Sequence, residues 1–199
     1  MMDNLILLWM AAFPLMGSPG PATLSLAGIG SAYGFRVGLR YMFGIVVGTV
    51  VVLLMIATGI TTVVLTMPSL LVVLSSLAGL YILYLAFRIA TAPAVKDMTS
   101  VDSTPRFLSG FTLAVINPKA FAAIGAVYAS HTVVARNMAA DTGWKLLALS
   151  LVIIIFSLFW LSFGAAFSKF LSNPAIARTT NIIFAVMLIL SVGSLWLGK

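Results

Sequence analysis

The chain has 199 residues, 62% of them hydrophobic and only 8% charged. A soluble domain needs roughly a quarter of its residues charged to cover its surface, so this composition excludes one and puts the chain in a membrane. Continuous apolar runs such as GIVVGTVVVLLMIATGI also exclude a transmembrane barrel, whose ~10-residue strands alternate polar and apolar positions.

A spanning helix takes about 20 apolar residues. Six such segments follow one another, at 5–33, 38–65, 69–89, 107–130, 144–167 and 175–197. The first is expected to stay in the membrane: Asp3 is the only charge before Arg36, and the run is too long for a signal peptide's apolar core. It carries the stretch FPLMGSPGPATLS, with prolines and glycines crowded into residues 17–21. In the second segment, Gly44 and Gly48 are spaced for close helix packing. In the third, Tyr81 and Tyr84 lie on adjacent faces, suited to lining a cavity or to aromatic packing between helices.

Between the third and fourth segments runs the polar stretch TAPAVKDMTSVDSTPRF, read as a cytoplasmic linker over 91–106. Three segments precede it, in a unit of residues 1–90, and three follow, in 107–199. Odd numbers force the halves to enter the membrane from opposite sides, which is an inverted repeat if they share a fold. The expected fold is therefore all-α and polytopic, six transmembrane helices in two inverted three-helix repeats, with the first and fourth helices interrupted.

The interruptions are read from local chemistry. Ser18-Pro19 and Asn117-Pro118 each sit inside the first helix of a half. Ser and Asn are preferred N-caps, Pro is favoured at the first helical position, and Pro removes a hydrogen bond from the preceding turn. Each pair thus signals a helix start at membrane depth, where broken backbone is tolerated only against protein or a wet cavity. A restarted helix presents N–H groups that suit a carboxylate. Matching restarts in two halves mark a transporter's central site; the plainer reading is a pair of kinked, packed helices. Asn173-Pro174 opens the sixth segment from a loop and needs no such reading.

Lys119, beside the second break, is the ionisable group nearest mid-membrane. It suits a substrate carboxylate or a proton, or else snorkels to an interface. His131, at the end of the fourth segment, reads as a solvated loop residue. The acids are Asp3, Asp97, Asp102 and Asp141, all expected in loops or at the terminus, and the chain has no Glu.

Basic residues set orientation, being retained on the cytoplasmic side. Arg36, Arg40, Arg88, Lys96, Arg106, Lys169 and Arg178 fall on one side, against Arg136, Lys145 and Lys199 on the other. Both termini are therefore expected outside the cytoplasm, with Trp144 and Trp196 at the outer interface. The net charge of +7 reads as membrane orientation, and no basic cluster interleaved with aromatics argues for nucleic acid.

At this point the residues resemble a known family, the LysE/RhtB amino-acid exporters. The resemblance rests on Pro19-Gly20-Pro21, on Gly34-Phe35-Arg36-Val37-Gly38 followed by Gly44 and Gly48, on Gly79, Tyr81, Tyr84 and Leu85, and on Asn117-Pro118-Lys119-Ala120. The chain departs from the family after Ala120, where FAAIGAVYASHT replaces an aromatic-rich stretch, and its last two helices match loosely. The resemblance implies efflux of small amino acids or related metabolites across the bacterial cytoplasmic membrane, driven by the proton gradient.

The candidate substrate-binding residues are Ser18, Pro19, Gly20, Pro21, Thr23, Tyr81, Tyr84, Asn117, Pro118 and Lys119. The expected partners are an amino acid, favoured neutral because no buried acid answers a second cation, protons as coupling ion, and membrane lipid; self-association into a homo-oligomer is also compatible. No cofactor, metal or catalytic group is expected. A thiol–disulfide conduit needs cysteines, and there are none. Heavy-metal efflux wants soft or acidic ligands at mid-membrane, and an enzyme wants a nucleophile with its base. The alternatives kept are a non-enzymatic assembly or accessory subunit and an exporter of another small metabolite or cation.

Overall fold

The computed structural model describes residues 1–59, 76, 80, 82–87, 89–91, 106–170, 178–180, 182–187 and 189–190. Five helices are described along their length: α1 (Met2–Gly17), α2 (Pro21–Ala57), α3 (Phe107–Val115), α4 (Pro118–Ser130) and α5 (Met138–Phe170). No strand occurs among the described residues. Most of the third and sixth expected segments, and residues 92–105 of the 91–106 linker, lie outside those residues. Residues 82–87 and 182–187 are helical.

α2 is a hairpin rather than a rod. Gly34 has φ 78° and ψ 169°, a left-handed backbone that glycine alone adopts without strain. Added bulk would meet nothing there within 4 Å, so the requirement is conformational. Tyr41 Oη donates to Ser25 Oγ at 3.0 Å across sixteen residues; in a straight helix those residues would be ~24 Å apart along the axis. The arms 21–33 and 35–57 therefore run back along each other. The second expected segment begins at residue 35 rather than 38.

By length and composition Pro21–Ala57 and Met138–Phe167 can cross a membrane, and α3 with α4 pass together as a broken pair bent by 59°. The result is an all-helical, polytopic membrane fold. Lipid is as apolar as leucine, so helices gain from close packing rather than from leaving water. Small residues supply that closeness here. A Cβ on Gly164 would run into the Ala27 carbonyl, and one on Gly44 into the Phe107 carbonyl, so α5 lies on the first arm of α2 and α3 on the second. Large apolar side chains on the outer face of α5, among them Leu147, Phe159 and Phe163, are exposed as a lipid-facing surface.

α5 starts at Met138, ahead of the expected 144. Asp141, expected in a loop, is in its first turn. One carboxylate oxygen accepts the Val134 N–H at 2.9 Å and the Val133 N–H. The other meets Lys145 Nζ at 2.8 Å, which also lies 4.7 Å above the Tyr128 ring. Lys145 is thus a buried, paired charge (6% exposed) that fixes the α4–α5 connection.

The interior divides into two apolar clusters. One gathers Leu24, Ile29, Tyr41, Leu113 and Leu161; the other gathers Leu8, Val52, Ile124, Leu149 and Val152. Along each of the runs 8–33, 35–57, 107–130 and 138–167 the site residues described next fall in sequence between members of these two groups, at the waist of the bundle.

Candidate functional site: two helix breaks around one cavity

The first break is built from prolines that cannot donate and carbonyls left without donors. α1 ends at Gly17, Ser18 turns extended with ψ 152°, and Ser18 Oγ donates back to the Leu15 carbonyl at 3.0 Å. α2 restarts with Gly20 as N-cap and Pro21 at its first position. The Gly20 N–H donates to Thr23 Oγ1 at 2.8 Å, a hydroxyl reaching back from the first turn. The expectation of Ser18-Pro19 as the restart is therefore corrected by two residues. Ser18 closes the outgoing helix, and Gly20-Pro21 opens the next.

At the second break the sequence reading of the local chemistry matches the geometry. Asn117 caps α4, its Oδ1 accepting the Lys119 N–H at 3.2 Å, with Pro118 at the first helical position.

Lys119 joins the two. Its Nζ donates to Ser18 O at 2.5 Å, Ser18 Oγ at 2.8 Å and Pro19 O at 2.9 Å, using all three ammonium protons. These acceptors lie at the C-terminal end of α1, where unpaired carbonyls carry partial negative charge. Gly20 makes room for the crossing: a Cβ there would come 2.5 Å from Lys119 Cδ. Its own backbone is merely extended, so the glycine is needed for space. α5 braces the break, with Trp160 Nε1 donating to the Gly17 carbonyl at 3.1 Å and Phe156 meeting Phe13 edge-on at 5.5 Å.

Between the breaks lies a cavity of about 70 Å³, space for a few waters. Gly20, Ala22 and Thr23 line it from the first break, Asn117, Lys119 and Ala120 from the second, and Thr49, Phe156 and Ser157 from neighbouring helices. No acid is among the described lining residues. Asn117 and Ser157 are 4% and 5% exposed. The Asn117 amide N–H₂ and the Ser157 hydroxyl have no hydrogen-bond partner among the described residues. Ser157 escaped the sequence reading. Its signal was a small polar residue alone in the apolar run IIIFSLFWL.

Of the other candidates, Pro21 and Pro118 hold the two restarts, while Pro19 is exposed and contributes its carbonyl. Tyr84 does not line the cavity and is 52% exposed. Tyr81 lies outside the described residues. His131 ends α4, its Nδ1 2.8 Å from Ser130 Oγ, away from the cavity.

The family of LysE type translocators matches residues 13–196, a span that includes both breaks. The chain belongs to the LysE type translocator family. The translocator is 28% identical over 176 residues to the cysteine/O-acetylserine efflux protein of Salmonella choleraesuis (strain SC-B67), covering 86% of this chain and 87% of that one. It is 27% identical, over the same length and coverage, to the cysteine/O-acetylserine efflux protein of Salmonella paratyphi A (strain ATCC 9150 / SARB42). No solved structure matches the chain.

Proposed function

We propose that this translocator exports small neutral amino acids from the cytoplasm through the cavity between its two helix breaks, driven by the proton gradient across a bacterial cytoplasmic membrane. The observation that carries the reading is the meeting of the breaks: Lys119 beside one reaches Ser18 and Pro19 of the other. Ser18, Gly20, Thr23, Asn117 and Lys119 then form the substrate site. The first turn of α2 and the Asn117 amide, which has no partner among the described residues, offer N–H groups to a carboxylate, aided by the positive ends of restarted helices. The Salmonella relatives are named for cysteine and O-acetylserine, both small neutral amino acids, which favours the same class here. With no acid among the described residues lining the cavity, Lys119 is the ionisable group there to sense the coupling proton.

The test is transport in proteoliposomes with an imposed proton gradient, using labelled serine and leucine beside labelled lysine. Gradient-dependent movement of the neutral amino acids, abolished by Lys119→Met, is the expected result. Absence of movement for every amino acid tried removes the amino-acid reading, and gradient-independent movement removes proton coupling alone.

A further inference from the structure

The ammonium of Lys119 is seated as a guest in backbone that belongs to another helix. A helix end leaves its last carbonyls without intrahelical donors. At the end of α1, the Leu15 carbonyl takes the Ser18 hydroxyl and the Gly17 carbonyl takes Trp160. The Ser18 and Pro19 carbonyls take the lysine, Ser18 O also receiving Thr23 Oγ1 at 3.3 Å. With Ser18 Oγ as the third acceptor, the result is a receptor for one primary ammonium. Its three acceptors match three N–H donors, and the end of α1 supplies the sign of charge a cation needs.

A second observation points to a ligand beside this cage. The amide of Asn117 and the hydroxyl of Ser157 line the adjoining cavity and are more than nine-tenths buried, with hydrogen-bonding capacity unused among the described residues. Buried polar groups without partners are rare, and each asks for an occupant. An α-amino acid carries a primary ammonium, chemically the group already in the cage, two bonds from a carboxylate that the Asn117 amide can receive.

We propose that Ser18 O, Pro19 O and Ser18 Oγ are the ammonium subsite of the transport site, and that Lys119 is its resident occupant, displaced by the ammonium of an incoming amino acid. The identity of the displacing ligand rests on the transport reading; the cage and its occupant do not. Loading is then an exchange of like for like. The cage carbonyls never lose their donors, so the desolvation cost of bare buried acceptors is avoided. The released lysine is set free beside the substrate's carboxylate. Gly20 keeps the lysine's path clear, since any side chain there would occupy the space its methylenes cross.

The experiment uses the full chain in lipid nanodiscs and follows thermal unfolding against methylammonium chloride. Tetramethylammonium serves as the control, having the charge but no N–H. Lys119→Met empties the cage while keeping an unbranched apolar stem. We expect saturable stabilisation of Lys119→Met by methylammonium and not by tetramethylammonium, with half-saturation at least tenfold lower than in the unmodified protein, whose own lysine competes. Adding Ser18→Ala to Lys119→Met should raise half-saturation several-fold. Should Lys119→Met not fold, Lys119→Gln is read in the same way. Equal responses with and without Lys119, or no response once it is removed, overturn the proposal. Nothing in this measurement requires transport. A protein that moves no amino acid yet passes loses only the transport reading, and one that exports amino acids yet fails loses only the cage.

Discussion

Ser157 is a buried hydroxyl among hydrocarbon, lining the cavity with no hydrogen-bond partner among the described residues, and that isolation separates two roles. A hydroxyl kept for packing would be no worse as a methyl, because removing an unsatisfied buried polar group is neutral or stabilising. A hydroxyl kept for substrate would cost affinity, at about 1 kcal/mol for one hydrogen bond, or roughly fivefold. Ser157→Ala should therefore leave the unfolding temperature unchanged or higher while raising the transport KM about fivefold; an unchanged KM would take Ser157 out of the site. Substrate charge is decided at the same scale. A lysine substrate brings a second cation to a cavity lined, among the described residues, by Lys119 and no acid. Like charges ~4 Å apart at an effective dielectric near 20 repel by about 4 kcal/mol, close to a thousandfold in affinity. Export of leucine or threonine should far exceed that of lysine in cells expressing the protein. A preference for lysine would overturn the site as assigned.

At the scale of helices, glycines decide where backbones touch. At Gly164 and Gly44 a Cβ would strike carbonyls of a neighbouring helix, whereas at Gly125 it would meet nothing within 4 Å. Overpacking costs about 1–3 kcal/mol even where side chains can yield, and a backbone carbonyl yields less. Gly164→Val and Gly44→Leu should each lower the unfolding temperature in detergent clearly. Gly125→Ala should be neutral or raise it, because glycine costs about 1 kcal/mol against alanine in a helix. Equal losses at all three sites would refute these contacts. Legibility divides along the same line of local against distant cause. The break at Asn117-Pro118 could be read because cap and proline are adjacent and nothing competes. At residues 18–21 two prolines offered two restarts, and Thr23 decided for Gly20-Pro21 by bonding the Gly20 N–H. The Gly34 hairpin fell close to an expected segment boundary because turn and apolar pattern agree there. Tyr84 is open to either cavity lining or aromatic packing from its helix face alone, and it is not among the described residues that line the cavity. Ser157 depends on which helices become neighbours, and sequence spacing carries no record of that. The Asp141–Lys145 pair is an i,i+4 contact within α5, hidden from the sequence reading because the expected helix starts only at 144.

For the whole molecule, the two breaks belong to opposite halves of the chain, yet one lysine spans them. Bringing them together at one depth is natural if the halves enter the membrane in opposite senses, because equivalent points of inverted repeats meet near the bilayer midplane. That arrangement has a consequence far from the site. With three crossings per half, the residues before the first helix and the linker between the halves must face opposite sides. The basic residues predict which: with seven on the linker's side against three on the other, the linker is expected in the cytoplasm, where Lys and Arg are retained. The chain has no cysteine, so single cysteines can be introduced without altering any background thiol. In intact cells, Asp3→Cys should react with a membrane-impermeant maleimide and Ser100→Cys should not, reacting only after the membrane is opened. Labelling of both from the same side would require an even number of crossings between them. That outcome would remove the six-helix count and the inverted repeat together, and would leave the Lys119 contact as a packing feature of a different fold.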